Sequence, residues 1–275
     1  CWHDGHMLEH VEGGMQSDKD VVTMAIHQTP YAFKYVSNKL KGDIGIARLA
    51  IQKNAYMLQF APECINDNRE IVMEAVRKTP GAFKYASYNL RGDKGVAMLA
   101  LSECARMLEK QMFVASVFEQ ASQEIRGCEP AVLLAVKCNG LMLKSVEEGM
   151  NDDYNVVSVA VEQNPHAFQY ASDRLRGDEV ILRLAINKNG LMLQYASAKL
   201  RNNLEVVTMA MQSTPHAFMY ASDEAKSNVQ VATLAYKGNR LMMRHVPYAI
   251  QSDVQRAYYR QKKGHEGNTK CGTMP

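Results

Sequence analysis

The chain has 275 residues, 47% of them hydrophobic and 22% charged, with a formal net charge of +3. That balance belongs to an ordinary folded domain and is too weak to draw nucleic acid or an anionic membrane by charge alone. No apolar run approaches the roughly 18 residues of a spanning helix, no secretory leader pattern is present, and the six cysteines form no CxxC pair, which predicts reduced thiols in the cytoplasm.

The chain starts at Cys1 rather than Met, so a longer parent protein is expected. Gly5-His6-Met7-Leu8 matches the second half of a phrase that recurs downstream, and residues 1–20 are therefore expected to be a partial repeat. Cys1, His3, His6 and His10 have spacing that a metal could use. They have no second cluster downstream, and accidental grouping is the better reading; no metal or other cofactor is predicted.

From residue 18 to 250 the chain reads as one continuous array. Ala25, Ala50, Ala75 and Ala100 stand 25 residues apart, as do Ala135, Ala160, Ala185, Ala210 and Ala235. Two kinds of repeat alternate, so the full period is a double repeat of 50. One kind carries Thr29-Pro30-Tyr31-Ala32-Phe33, Thr79-Pro80-Gly81-Ala82-Phe83, Asn164-Pro165-His166-Ala167-Phe168 and Thr214-Pro215-His216-Ala217-Phe218. The other carries Asn54-Ala55-Tyr56-Met57-Leu58, Asn139-Gly140-Leu141-Met142-Leu143, Asn189-Gly190-Leu191-Met192-Leu193 and Asn239-Arg240-Leu241-Met242-Met243.

Each repeat predicts two short helices. The first follows an Asp or Asn cap at Asp18, Asn68, Asp153 or Asn203, and Val21, Val22, Ala25 and Ile26 share one face of its 3.6-residue period. The second starts at Thr-Pro or Asn-Pro, the Thr or Asn bonding free N–H groups of the first turn. It ends at Gly42, Gly92 or Gly177, where glycine is expected to take the left-handed cap. Lys41, Arg91, Arg126 and Arg176 near these ends complement the helix dipole. Helices this short are marginal alone, so the expected fold is all-α: a solenoid or superhelix of about 20 short helices in antiparallel pairs, stabilised by stacking.

The step from Ala100 to Ala135 breaks the period. Residues 111–127 match the second half of a Pro-Ala-Phe repeat, which predicts a shortened repeat there, with one longer helix running from Met107 to Gln120. After Pro247 the pattern fades, and residues 251–275 are expected to hold a helix-like stretch over Ser252–Tyr259 followed by a disordered tail.

The repeated Asp-x-x-Val-Val-x-x-Ala, Ala-Phe-x-Tyr-Ala-Ser and Leu-Arg-Gly-Asp blocks resemble a short helical repeat family described only as a domain of unknown function. Such repeats occur in tandem in proteins of bacteria, protists and large viruses, including some effectors of intracellular bacteria. The resemblance covers about residues 5–250. It departs at Cys128 and Asn228, where Asp is usual, and at Gln120, where Tyr is usual. It implies all-α repeats, with delivery into a host cell as one setting, and carries over no catalytic or binding residue.

Comparison of the repeats with each other separates frame from free positions. Tyr31, Gly81, His166 and His216 vary at the position after Pro, and Lys34, Lys84, Gln169 and Met219 vary at the position after Phe. Variation marks solvent-facing sites, where a solenoid builds its ligand surface. Tyr31, Lys34, Lys84, His166 and His216 are therefore the candidate partner-contacting residues. The constant column Tyr35, Tyr85, Tyr170, Tyr195 and Tyr220 reads as packing at a helix edge rather than a stacking ladder for bases. No nucleotide loop, nucleophile elbow or metalloprotease motif is present. Cys128 and Cys138 have no histidine in register, and Glu147-Glu148 and Asp152-Asp153 fall at an expected turn and cap. No catalytic residue is predicted. The expected function is non-enzymatic: a scaffold for a protein or peptide partner. The competing readings are a small-ligand or nucleotide-binding domain with a pocket near 107–130, or the targeting array of a larger effector.

Overall fold

The computed structural model describes residues 8–10, 14–107 and 117–269, with side chains placed to residue 262. Among the described residues the regular elements are all helical and there is no strand. The chain forms two compact units, Cys1–Glu148 and Gly149–Pro275, divided inside the span 18–250 that the repeat alone marks as continuous.

The first unit contains α1 (Lys19–Gln28), α2 (Ile44–Lys53), α3 (Arg69–Lys78), α4 (Lys94–Arg106) and α5 (Glu129–Cys138). The second contains α6 (Tyr154–Gln163), α7 (Glu179–Lys188), α8 (Leu204–Ser213), α9 (Val229–Gly238) and α10 (Gln251–Thr269). The caps do what their chemistry suggests: the carboxylates of Asp18, Asp43, Asp93, Asp153 and Asp178 accept N–H groups of the first turn. Asn68, Asn203 and Asn228 do the same with an amide oxygen, whereas Cys128 makes no such bond. Within each helix the apolar stripe is buried; Val22, Ala25 and Ile26 in α1 are the pattern for the rest.

The expected second helix is not one helix. It is a six-residue 3₁₀ segment, such as Pro80–Tyr85, then an extended residue, then a short α-helix such as Tyr88–Gly92. The break has a long-range cause. After the extended Ala86, the N–H of Ser87 turns away to donate to the carbonyl of Asn66 in the preceding repeat, 2.9 Å away. Ser37 reaches Gln16, Ser172 reaches Asn151, Ser197 reaches Arg176 and Ser222 reaches Arg201 in the same way. A continuous helix would spend those N–H groups internally. At the 3₁₀ start the residue before Pro must be extended. Thr29, Thr79 and Thr214 are so, but contrary to expectation make no side-chain cap bond; Asn164 does, to the N–H of His166.

The terminal glycines also differ from expectation. Gly42 and Gly177 have right-handed backbone angles, φ −82° and −92°, and Gly149 has the one positive φ among the described residues. Gly92 likewise has no positive φ, and a Cβ there would meet Ser122 Oγ at 3.6 Å, an ordinary contact.

In both units each long helix packs on the next, and the 3₁₀ segments pack on one another in the same order. Phe33, Phe83, Phe118, Phe168 and Phe218 lie fully buried in this core. At the irregular step 35 residues separate Ala100 from Ala135. α4 packs directly on α5, the short helix Tyr88–Gly92 contacts Gln123–Arg126, and Ser122 N–H bonds Arg91 O at 3.2 Å. The expected helix over Met107–Gln120 is interrupted at its start, because Met107 has φ −89° and ψ 61°; residues 108–116 lie outside the described residues. The C-terminal helix continues past Tyr259 to Thr269, further than the fading pattern suggests, and residues 270–275 lie outside the described residues. No helix among the described residues is long and apolar enough to cross a membrane.

Candidate partner-binding face

The 3₁₀ geometry decides which residues face out. With three residues per turn, the second and fifth positions of a segment eclipse each other. In Pro30–Tyr35 these are Tyr31 and Lys34; Ala32 and Phe33, the third and fourth, are fully buried. The two columns singled out by variation are therefore one face. Tyr31 is 49% exposed, and Lys34, Lys84, His166 and His216 are exposed too. Gly81 is buried, so that repeat offers only Lys84. Tyr31, Lys34 and Lys84 belong to the first unit, and His166 and His216 to the second.

The two histidines are tied into the frame. The Asn189 amide nitrogen lies 3.4 Å from His166 Nε2, and that of Asn239 lies 3.1 Å from His216 Nε2. The same asparagines cap the next 3₁₀ segment, their Oδ1 accepting from Leu191 and Leu241 N–H. Each histidine is exposed yet held in one orientation by the following repeat.

The other kind of repeat contributes to the same face. Tyr56, Leu141, Leu191 and Leu241 occupy the second position of their segments, and Leu241 is 66% exposed. The sequence marks them only by their fixed distance from the capping asparagine, since no proline precedes them. Tyr56 meets Tyr85 edge to face, centroids 6.4 Å apart. The tyrosine column is half-buried throughout, and Lys34 and Lys84 lie over the rings of Tyr35 and Tyr85, at 5.2 and 4.8 Å from the centroids.

The basic column is largely spent inside the fold. Arg126 pairs with Glu147 at 3.1 Å, Arg176 with Asp173, and Arg91 bonds the Gln120 side chain at 3.0 Å. Burial lowers the pKa of Lys41. Near the irregular repeat, a recess of about 310 Å³ is lined by Tyr88, Arg91, Gln120, Ser122 and Arg126 among others. A recess of about 450 Å³ stands at the same register in the second unit, with Arg201, Tyr220, Ser222 and Lys226 in the corresponding places. The recess near the irregular repeat therefore has a counterpart at the same register of another repeat. Of the N-terminal metal candidates only His10 is described, and it is exposed; Cys1, His3 and His6 lie outside the described residues.

Neither a curated protein nor a solved structure matches the chain. A family model does, in five tandem and partly overlapping segments: residues 3–41, 18–66, 68–126, 131–176 and 179–226. With its capped helices and 3₁₀ segments repeated along nearly the whole matched span, the chain belongs to the family described as a domain of unknown function, DUF4116.

Proposed function

We infer that the protein is a non-enzymatic scaffold in which the repeats stack as a solenoid of short antiparallel helix pairs and present the 3₁₀ face to a protein or peptide. One observation carries this reading. Of the positions that differ between repeats, Tyr31, His166, His216, Lys34 and Lys84 are exposed on one face of their segments, Gln169 and Met219 are half-buried and Gly81 is buried, while the Ala and Phe between the two columns are buried and constant. A scaffold needs that division, because the frame must stay fixed while the contact residues vary. In this reading the protein acts in the cytoplasm, where the thiols of Cys64, Cys104 and Cys128 would stay reduced.

The test is affinity capture from native lysate with the wild type, with Tyr31→Ser/His166→Ser/His216→Ser, and with Asn38→Ala/Lys199→Ala, which alters exposed positions on the short helices. Loss of specific partners with the first variant alone supports the assignment. Identical partners from all three would overturn it.

A further inference from the structure

The face differs chemically between the two units. In the first three six-residue 3₁₀ segments its outward positions are Tyr31, Lys34, Tyr56, Gln59 and Lys84, with no carboxylate among them. The helices that lead into these segments end in His27, Lys53, Arg77 and Lys78. In the second unit the equivalent positions are Gln169, Gln194 and Met219, with a cation only at Arg244 in the last segment; the last turns of α6 and α8 carry no basic residue, while those of α7 and α9 carry Lys188 and Lys237.

The two lysines are held ready. Each ammonium rests on the neighbouring tyrosine ring, at 5.2 Å for Lys34 and 4.8 Å for Lys84, and neither has a carboxylate within ion-pair distance among the described residues. Tyr56 stands against Tyr85 in the neighbouring segment, and burial raises the pKa of its hydroxyl against the opposing charge of Lys84. The Tyr35 and Tyr85 rings, one route to stacking a nucleic-acid base, each carry one of the protein's own lysines. What remains open is a pair of restrained cations beside an aromatic edge.

We propose that the 3₁₀ face of the first unit, from Tyr31 to Tyr85, binds an acidic polypeptide segment, its Asp or Glu carboxylates meeting Lys34 and Lys84 and its apolar side chains resting on Tyr31 and Tyr56. This rests on the assignment of the 3₁₀ face as the binding face and adds the charge class of the partner. The chemistry is that of a rim of cations around an aromatic contact, which sets encounter rate and selectivity.

The probe is a fluorescein-labelled peptide of alternating Glu and Ala, titrated with the full chain at low ionic strength and followed by anisotropy. Binding should weaken as salt rises. Lys34→Gln/Lys84→Gln should lower affinity about tenfold, two exposed charge contacts being lost, and Lys34→Arg/Lys84→Arg should retain it. Gln169→Ala/Met219→Ala in the second unit should leave it unchanged. Both lysines are exposed, and unchanged circular dichroism confirms that the variants are folded. Absence of binding, or equal affinity in the Gln variant, overturns the proposal. So does tighter binding of labelled oligo(dT) through the same lysines, which would assign the face to single-stranded nucleic acid. Should the acidic peptide fail while lysate capture still depends on Tyr31, His166 and His216, only the acidic class of the partner falls.

Discussion

The backbone of Ala210 is packed against Gly190 so closely that a Cβ built on the glycine would overlap the Ala210 carbonyl oxygen and lie 3.0 Å from its carbon. Here the first turn of a 3₁₀ segment meets the next long helix main chain to main chain. Gly190→Ala must push two backbones apart and is expected to destabilise the second unit by about 3 kcal/mol. Gly42→Ala is the control. Its Cβ would find ordinary contacts at 3.5 Å or more with a helical φ, so stability should stay level or rise by up to about 1 kcal/mol. Urea unfolding monitored by circular dichroism compares the two; equal effects would contradict the close approach at Gly190.

Phe168 fills the layer between the 3₁₀ row and the long helices and is fully buried. Phe168→Ala should cost about 3–5 kcal/mol, the transfer term plus a cavity that stacked repeats cannot collapse. Tyr170→Phe, two residues on and only half-buried, should cost less than about 1 kcal/mol. A small loss at Phe168, measured by the same urea titration, would place the layer outside the core.

Much of this frame was legible because local chemistry repeats. The caps at Asp18, Asp43 and Asp93, the alanine columns and the phenylalanines follow from residue type and period alone. The break between the 3₁₀ segment and the short helix was not legible. Over six residues a period of 3.0 and one of 3.6 bury the same pair, Ala82 and Phe83, and the bond from Ser87 to Asn66 that ends the segment comes from another repeat. The irregular step was ambiguous for a related reason: spacing does not say which helices meet across it, and the packing of α4 on α5 does. At the candidate face, variation marked Tyr31 and Lys34 correctly as exposed. It was silent on the Asn189 and Asn239 side chains that hold His166 and His216, since those arrive from the next repeat.

Thiol reactivity should follow burial. Cys64 is exposed, while Cys104 is buried between α4 and its neighbours, and burial, with Cys138 and Glu103 adding to it, pushes the Cys104 thiol up to about 12. Because the thiolate is the nucleophile, iodoacetamide at about pH 8 should alkylate Cys64 in the native protein and reach Cys104 only after urea is added. Peptide mass mapping reads both sites. Labelling of Cys104 at the rate of Cys64 in the folded chain would show that α4 opens locally.

Acid should loosen the repeats through the capping aspartates Asp43 and Asp93 and through Asp152, next to the cap of α6. The Lys19 ammonium, then the Ile46 N–H, hold Asp43 below its ordinary pKa. The Val96 N–H, then Arg69, do so for Asp93, and the Ser172 hydroxyl with Arg174 lowers Asp152. A carboxylate whose folded pKa lies below its unfolded value contributes stability at pH above the unfolded value, about 3.9. That contribution is lost as pH falls through the lower, folded value. The urea midpoint should therefore drop as pH is lowered below about 4. Asparagine already caps α3, α8 and α9 through its amide oxygen, so Asp43→Asn/Asp93→Asn should keep the helix starts and lose the links to Lys19 and Arg69. The variant should be slightly less stable near neutral pH and show a shallower acid decline. An unchanged slope would mean that these two carboxylates titrate alike in the folded and unfolded chain, and that the caps act through hydrogen bonding without charge.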